Sequence, residues 1–196
     1  MMKELTKATC LIFVVGCILP TVAYGGSLIF IIDRSGSMSP YAEEIKTIAS
    51  HIIERYSSSE VILFNNEVET VTSKKDLLKK LKFGGGTDYG LVFKQVASNP
   101  HNSILFLTDG GANEPVEAKR EGLMLRSKGV KQWCTIYVGE KGKIPSLLIK
   151  ISDKVISTTS LTAGIEECLG ELKPQESITD SYRNIDIENL KKQIIY

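Results

Sequence analysis

The sequence is poor in histidine and almost free of net charge, and each shortage counts against a class of function. His51 and His101 are the only histidines among 196 residues, so a histidine-based metal or catalytic centre has little support. Lysine and arginine number 24, and aspartate and glutamate number 23. Such a balance does not indicate nucleic-acid binding through a broad basic surface.

Long hydrophobic runs are also missing. The apolar stretch near the N-terminus covers only residues 8–19 before Pro20 ends it, which is short for a membrane span. Lys3 and Lys7 precede this stretch, and the small residues of Ala-Tyr-Gly at 23–25 follow it. This order is typical of a signal peptide. We therefore expect residues 1–25 to be removed and the mature chain to be exported to the periplasm, the cell surface or the medium.

Two alternatives remain for the N-terminal segment. The first is an uncleaved membrane anchor. The second is a lipoprotein signal, because residues 14–17, VVGC, loosely resemble a lipobox with lipid on Cys17. We expect contact with a membrane only in these two cases.

Cysteine is scarce as well, with four residues in the chain. Cys10 and Cys17 fall within the expected signal peptide, which leaves Cys134 and Cys168. An exported chain can join this pair as a disulfide, and the compartment favours that interpretation. The alternative is two buried thiols, one in an apolar strand and one on an apolar helix face. Sequence alone does not decide, because pairing depends on the Cα separation.

The most informative stretch is residues 27–39, SLIFIIDRSGSMS. Its apolar run at 28–32 predicts a central strand that is covered on both faces. That strand would deliver Asp33, Ser35 and Ser37 to the edge of the sheet where open parallel sheets bind ligands. Carboxylate and hydroxyl oxygens suit Mg²⁺, Mn²⁺ or Ca²⁺ and not zinc or copper. These residue types are equally common in plain turns, so this stretch alone leaves both interpretations open.

Two later stretches favour the metal site. Residues 84–88 read GGGTD, and residues 104–110, ILFLTDG, form a second apolar strand that ends in aspartate and glycine. Together with the Asp-x-Ser-x-Ser motif at 33–37, they resemble the von Willebrand factor type A (vWA) domain and its metal-ion-dependent adhesion site. The resemblance extends over about residues 27–172. It implies an α/β fold with a doubly wound, mostly parallel, Rossmann-like central sheet that is flanked by helices and has one antiparallel edge strand.

The resemblance also implies a ligand set for one divalent cation, Mg²⁺ or alternatively Mn²⁺ or Ca²⁺. Ser35, Ser37 and Thr87 would bind the metal directly in at least one state. Asp33 and Asp109 would bind it directly or through water. An aspartate or glutamate of a protein partner would complete the coordination.

Periodicity predicts the remaining elements. Apolar or alternating runs predict strands at 28–32, 60–65, 67–71, 104–107, 132–138 and 154–157. Three-and-four spacing predicts helices at 39–56, 74–82, 87–97, 115–128 and 161–172. We expect Ser39 to cap the first helix and Asp88 to act as an N-cap or to support the ligands from behind.

The expected domain organisation is a signal peptide, a vWA domain at 26–172, and a linker with a short helix at 173–196. The predicted function is exported, metal-dependent protein binding. A structural accessory subunit with a stabilising metal is the first alternative, and a Mg²⁺-dependent hydrolase is the second. The sequence offers no convincing general base, so we expect no enzymatic activity.

Overall fold

The computed structural model describes residues 28–56, 59–98 and 103–172. Six strands form one sheet in the order β3-β2-β1-β4-β5-β6. The strands are β1 (Leu28–Asp33), β2 (Ser59–Phe64), β3 (Val68–Val71), β4 (Ser103–Thr108), β5 (Gln132–Val138) and β6 (Lys154–Thr158). All pairings are parallel except that between β2 and β3, which is antiparallel at the sheet edge. The predicted fold class and the antiparallel edge strand are confirmed.

Within the described ranges, six α-helices flank the sheet. They are α1 (Ala42–Arg55), α2 (Lys74–Lys80), α3 (Tyr89–Val96), α4 (Pro115–Ser127), α5 (Ser146–Ile151) and α6 (Leu161–Glu171). One core lies between the sheet and α1, α2 and α6, and the other lies between the sheet and α3, α4 and α5. Strands β1 and β4 are buried along their whole length because both of their faces carry apolar side chains into these two cores.

The structure differs from the predicted elements in two places. Residues 36–41 form a 3-10 helix, and α1 begins only at Ala42, so Ser39 does not cap it. Short 3-10 turns are frequent at the start of α-helices, and Pro40 fits inside this one. Helix α5 was not predicted, since six residues are too few to show a helical period. It buries Leu148 and Ile151, which lie one turn apart.

A disulfide joins Cys134 on β5 to Cys168 on α6, with a Cα–Cα distance of 5.7 Å. This distance lies within the usual range for disulfides. Both cysteines are also almost fully buried. Of the two alternatives left open by the sequence, the structure therefore shows the disulfide, which fastens α6 to the sheet.

Three predictions lie outside the described residues: the signal peptide, the lipid site at Cys17 and the C-terminal segment at 173–196. Within the described part of the chain, none of the helices has the length and apolar character needed to cross a membrane.

Candidate metal centre

The candidate site lies at the edge of the sheet where β1 and β4 end. The two strands are neighbours and run parallel, with Ile32 opposite Leu107. Asp33 is the last residue of β1, and Asp109 directly follows β4. Parallel strands of matching register therefore bring these two aspartates to one edge, as the sequence predicts.

Hydrogen bonds link four of the five predicted ligands. The Ser37 hydroxyl donates to Asp109 Oδ1 over 2.9 Å, and Ser35 Oγ lies 3.2 Å from Ser37 Oγ. Since Ser37 has a single hydroxyl proton, Ser35 is the donor in the second bond. The backbone N–H of Ser35 donates to Asp33 Oδ1 over 2.8 Å. Asp33 and Ser35 are buried, whereas Ser37 is exposed, so the set runs from the sheet edge to the surface.

A second, buried set of hydrogen bonds holds the Asp33 carboxylate in place. The Thr108 hydroxyl donates to Asp33 Oδ2 over 2.6 Å. The Tyr89 hydroxyl lies 2.8 Å from Thr108 Oγ1 and also bonds to the carbonyl of Gly110. Thr108 and Gly110 flank Asp109 in the chain. The Tyr89 phenol therefore ties the start of α3 to the loop that carries Asp109.

In the absence of a cation, ionisation of the buried Asp33 carboxyl costs free energy. Burial raises the pKa of Asp33 above its usual value of 3.8, and the nearby Asp109 adds to the rise. Hydrogen bonds from Thr108 and Ser35 act in the opposite direction and lower the pKa. Burial also raises the pKa of the Tyr89 phenol, which keeps that hydroxyl protonated. A positive charge beside Asp33 would offset both the burial and the repulsion from Asp109.

The glycine-rich loop carries Thr87 to the same edge. The Gly36 N–H donates to the Gly85 carbonyl over 3.3 Å, and the Gly85 φ angle is +74°, a left-handed conformation that favours glycine. A Cβ on Gly86 would lie only 2.1 Å from Asn113 Nδ2. The backbone conformation therefore favours glycine at position 85, and a side chain at position 86 would have to displace that of Asn113.

Thr87 is buried, and its carbonyl accepts a 2.8 Å bond from the Asn113 N–H. Among the described residues, the Thr87 hydroxyl has no hydrogen bond to the other four predicted ligands. The next residue, Asp88, accepts a bond from the Leu91 N–H at the start of α3. This confirms the predicted N-cap.

The side chains present at this edge fit a hard divalent cation. They offer carboxylate and hydroxyl oxygens without nitrogen or sulfur, which is the donor chemistry of Mg²⁺, Mn²⁺ or Ca²⁺. In residues 28–56, 59–98 and 103–172, no group of three or more His, Cys, Asp or Glu side chains is placed to hold a metal. The oxygen set that the described chain joins by hydrogen bonds consists of the carboxylates of Asp33 and Asp109 and the hydroxyls of Ser35 and Ser37.

Sequence reasoning missed three residues around the site: Arg34, Tyr89 and Thr108. Three-and-four spacing places Tyr89 on the apolar face of α3, and its ring does pack against Phe64, Phe93 and Phe106. The hydroxyl has a separate role, which periodicity does not reveal. A weak signal exists for Thr108, a hydroxyl residue that directly follows four buried apolar residues at the end of β4.

We expect Tyr89→Phe to lower the free energy of unfolding by about 1–2 kcal/mol, because Gly110 and Thr108 lose a buried hydrogen-bonding partner while the aromatic packing is kept. Urea unfolding measures this change. Tyr137→Phe is the matched control, since it removes from the same core a hydroxyl that, among the described residues, is not hydrogen-bonded to Thr108 or Gly110. An equal loss in both variants would contradict a specific role for Tyr89.

Comparison with known proteins gives a family model and several similar solved structures. A family model described as VWA domain containing CoxE-like protein matches residues 23–132, more than half of the chain and a range that includes all three loops of the site. No curated protein matches the sequence. The crystal structure of the SpRpn10 VWA domain is similar, with 14% identity, a TM-score of 0.44, and coverage of 67% of this chain and 87% of that chain.

Proposed function

The chain belongs to the family of VWA domain containing CoxE-like proteins, and from this premise we propose that it is an exported protein-binding module whose binding depends on a divalent cation. VWA domains generally mediate protein–protein interaction. The proposal adds to this general role the cation, the ligand set and an acidic side chain of the partner.

The observation that carries the proposal is the hydrogen-bonded set of Ser35, Ser37 and Asp109 with Asp33 behind it. Its outer members are accessible, since Ser37 is exposed and Asp109 is partly exposed. A partner's side chain can therefore reach the oxygens from solvent. The buried members hold their positions through bonds to the sheet and to the Ser35 backbone.

We propose that Asp33, Ser35, Ser37, Thr87 and Asp109 hold Mg²⁺, or Mn²⁺ or Ca²⁺ in its place. A bound cation supplies a positive charge that attracts an aspartate or glutamate of the partner. Two carboxylates and three neutral hydroxyls leave less negative charge at the site than an all-carboxylate set would, so attraction for an external acidic group remains. In this proposal the protein residues orient the cation and perform no covalent chemistry.

Export is part of the proposal. It is supported by the signal-like pattern of residues 1–25 and by the disulfide between Cys134 and Cys168. Structural disulfides persist mainly in oxidising compartments such as the periplasm or the extracellular space. The proposed locations are therefore the periplasm, the cell surface or the medium.

The test combines calorimetry with partner capture. Mg²⁺ is titrated into the wild type, Thr87→Ala and Thr47→Ala, where Thr47 is an exposed threonine on α1 that serves as the control. We expect Thr87→Ala to weaken Mg²⁺ binding by roughly 10-fold or more, as the loss of a metal-site group does, and Thr47→Ala to leave it unchanged.

The same three proteins are then used to capture partners from envelope and secreted fractions, with Mg²⁺ and with chelator. We expect a partner that the wild type and Thr47→Ala retain only with Mg²⁺. Retention of the same partner in chelator and by Thr87→Ala would contradict metal-dependent binding and favour a structural metal. No Mg²⁺ binding by the wild type would reject the metal site itself.

A further inference from the structure

We infer that Arg34 is a positioning residue that couples the two halves of the metal site, the 33–37 loop and the 84–87 loop. The inference rests on the proposed function. Arg34 lies between the proposed ligands Asp33 and Ser35 in the chain, yet its own side chain points away from solvent and is only 5% exposed. It is therefore placed to act on ligand geometry without touching the cation.

The side chain of Arg34 joins elements far from it in sequence. Its Nη1 donates to the carbonyl of Lys80 over 3.0 Å and lies 2.6 Å from Glu69 Oε1. Lys80 is the last residue of α2, and Glu69 lies on the edge strand β3. The Arg34 guanidinium thus fixes the end of α2 and the edge strand β3 relative to the 33–37 loop.

The backbone of Arg34 supplies two further links. Its N–H donates to the carbonyl of Phe64 at the end of β2 over 2.8 Å, and its carbonyl accepts from the Gly84 N–H over 3.0 Å. The connection from α2 to the glycine loop is therefore held to Arg34 at both ends, at Lys80 by the side chain and at Gly84 by the backbone. Thr87 follows three residues later, so its position depends on this double attachment.

Stability alone does not explain a buried arginine at this position. Within the described residues, Arg34 Nε is buried without a hydrogen-bond partner, which costs free energy. Buried ion pairs often stabilise a fold no more than apolar residues of similar size would. What arginine offers is a planar group that bonds a carbonyl and a carboxylate in fixed directions, which lysine does not reproduce. Glu69 also neutralises a positive charge that would otherwise repel a cation bound nearby.

The test compares Arg34→Lys with Arg126→Lys in the full chain. Arg126 binds Asp153 through two nitrogens, at 2.6 and 3.0 Å, and Asp153 also accepts from the Trp133 N–H near the start of β5. The Arg126–Asp153 pair lies where strands β5 and β6 begin, whereas the candidate site lies where strands β1 and β4 end. Both variants keep the positive charge and lose the planar fork, and they differ in location and in burial, since the Arg126 side chain is 30% exposed and that of Arg34 5%.

We expect calorimetry to show Mg²⁺ binding about 10- to 100-fold weaker in Arg34→Lys and within about twofold of wild type in Arg126→Lys. In chelator, hydrogen exchange of the Gly84 amide should be faster than wild type only in Arg34→Lys. Unchanged Mg²⁺ affinity and unchanged Gly84 exchange in Arg34→Lys would overturn the inference.

A second variant covers the case in which Arg34→Lys does not fold. Glu69→Gln changes a residue that is one-third exposed and removes the ion pair between Arg34 and Glu69, while the bond from Arg34 to the Lys80 carbonyl remains. We expect it to weaken Mg²⁺ binding and to speed Gly84 exchange, and the absence of both effects would overturn the inference. If the wild type binds no Mg²⁺, the proposed function fails, while the exchange of Gly84 still decides whether Arg34 couples the loops.

Discussion

Reduction of the disulfide between Cys134 and Cys168 is expected to lower the free energy of unfolding by about 3–4 kcal/mol. The two cysteines are 34 residues apart in sequence. In the chain-entropy model, opening a loop of this length raises the conformational entropy of the unfolded chain, which lowers the free energy of unfolding by about 3–4 kcal/mol. A change of this size corresponds to a fall of roughly 10 °C in Tm for a domain of this length. Urea unfolding with and without reductant measures it directly.

The control for this experiment is the double variant Cys134→Ala/Cys168→Ala, whose stability should not respond to reductant. Reduced wild type keeps both sulfur atoms in the core, so comparison with oxidised wild type isolates the effect of the cross-link. Equal stability of oxidised and reduced wild type would mean that the bridge adds nothing. Mass spectrometry of the oxidised protein should show the two cysteines in one linked peptide pair.

The central strands were predictable because they carry an unusually clear signal. Residues 28–32 of β1 and 104–107 of β4 are unbroken apolar runs, and in the structure every residue of both strands is buried. Each run ends in an aspartate at or just beyond the strand, and parallel pairing then brings the two aspartates to one edge. Strand ends therefore place Asp33 and Asp109 at one edge, whereas the complete ligand set, which includes Thr87, was implied by the resemblance to the vWA domain.

The supporting residues were not predictable in the same way. Arg34 bonds to Lys80, 46 positions away, and Tyr89 bonds to Thr108 and Gly110 across an intervening helix and strand. Periodicity assigns a residue to a face but does not identify the polar atom that its side chain meets there. The same limit applies to the disulfide, which depended on a Cα separation that only the fold supplies.

Replacement of Asp33 by asparagine should separate metal binding from stability. Asparagine keeps the size of the side chain and an oxygen that can accept from the Ser35 N–H, but it removes the charge. We expect Mg²⁺ affinity to fall by roughly 100-fold, at the upper end of what changes around a metal produce. Calorimetric titration of Mg²⁺ measures the fall. Asp88→Asn is the matched control, because asparagine at that position still caps α3 and the change lies next to Thr87 in the chain.

The pH dependence of stability gives the same variant a second readout. Burial raises the pKa of Asp33, so in chelator the folded protein holds the Asp33 proton more tightly than the unfolded chain does. The stability that this proton contributes is complete below the unfolded pKa of Asp33, about 3.9. That contribution is lost as pH rises through the raised folded pKa. The raised pKa of Asp33 therefore makes the metal-free wild type less stable at neutral pH than at low pH. The asparagine side chain of the variant cannot ionise, so Asp33→Asn should lack this loss.

The order of stability should consequently reverse when the cation is added. In chelator at neutral pH, we expect Asp33→Asn to be at least as stable as the wild type. With Mg²⁺ at about 100 times its Kd, the wild type should gain about 2.7 kcal/mol by mass action, and the variant almost nothing. Thermal unfolding under both conditions detects the crossover. A variant that is less stable than wild type in chelator and gains equally from Mg²⁺ would show that Asp33 serves the fold and not the cation.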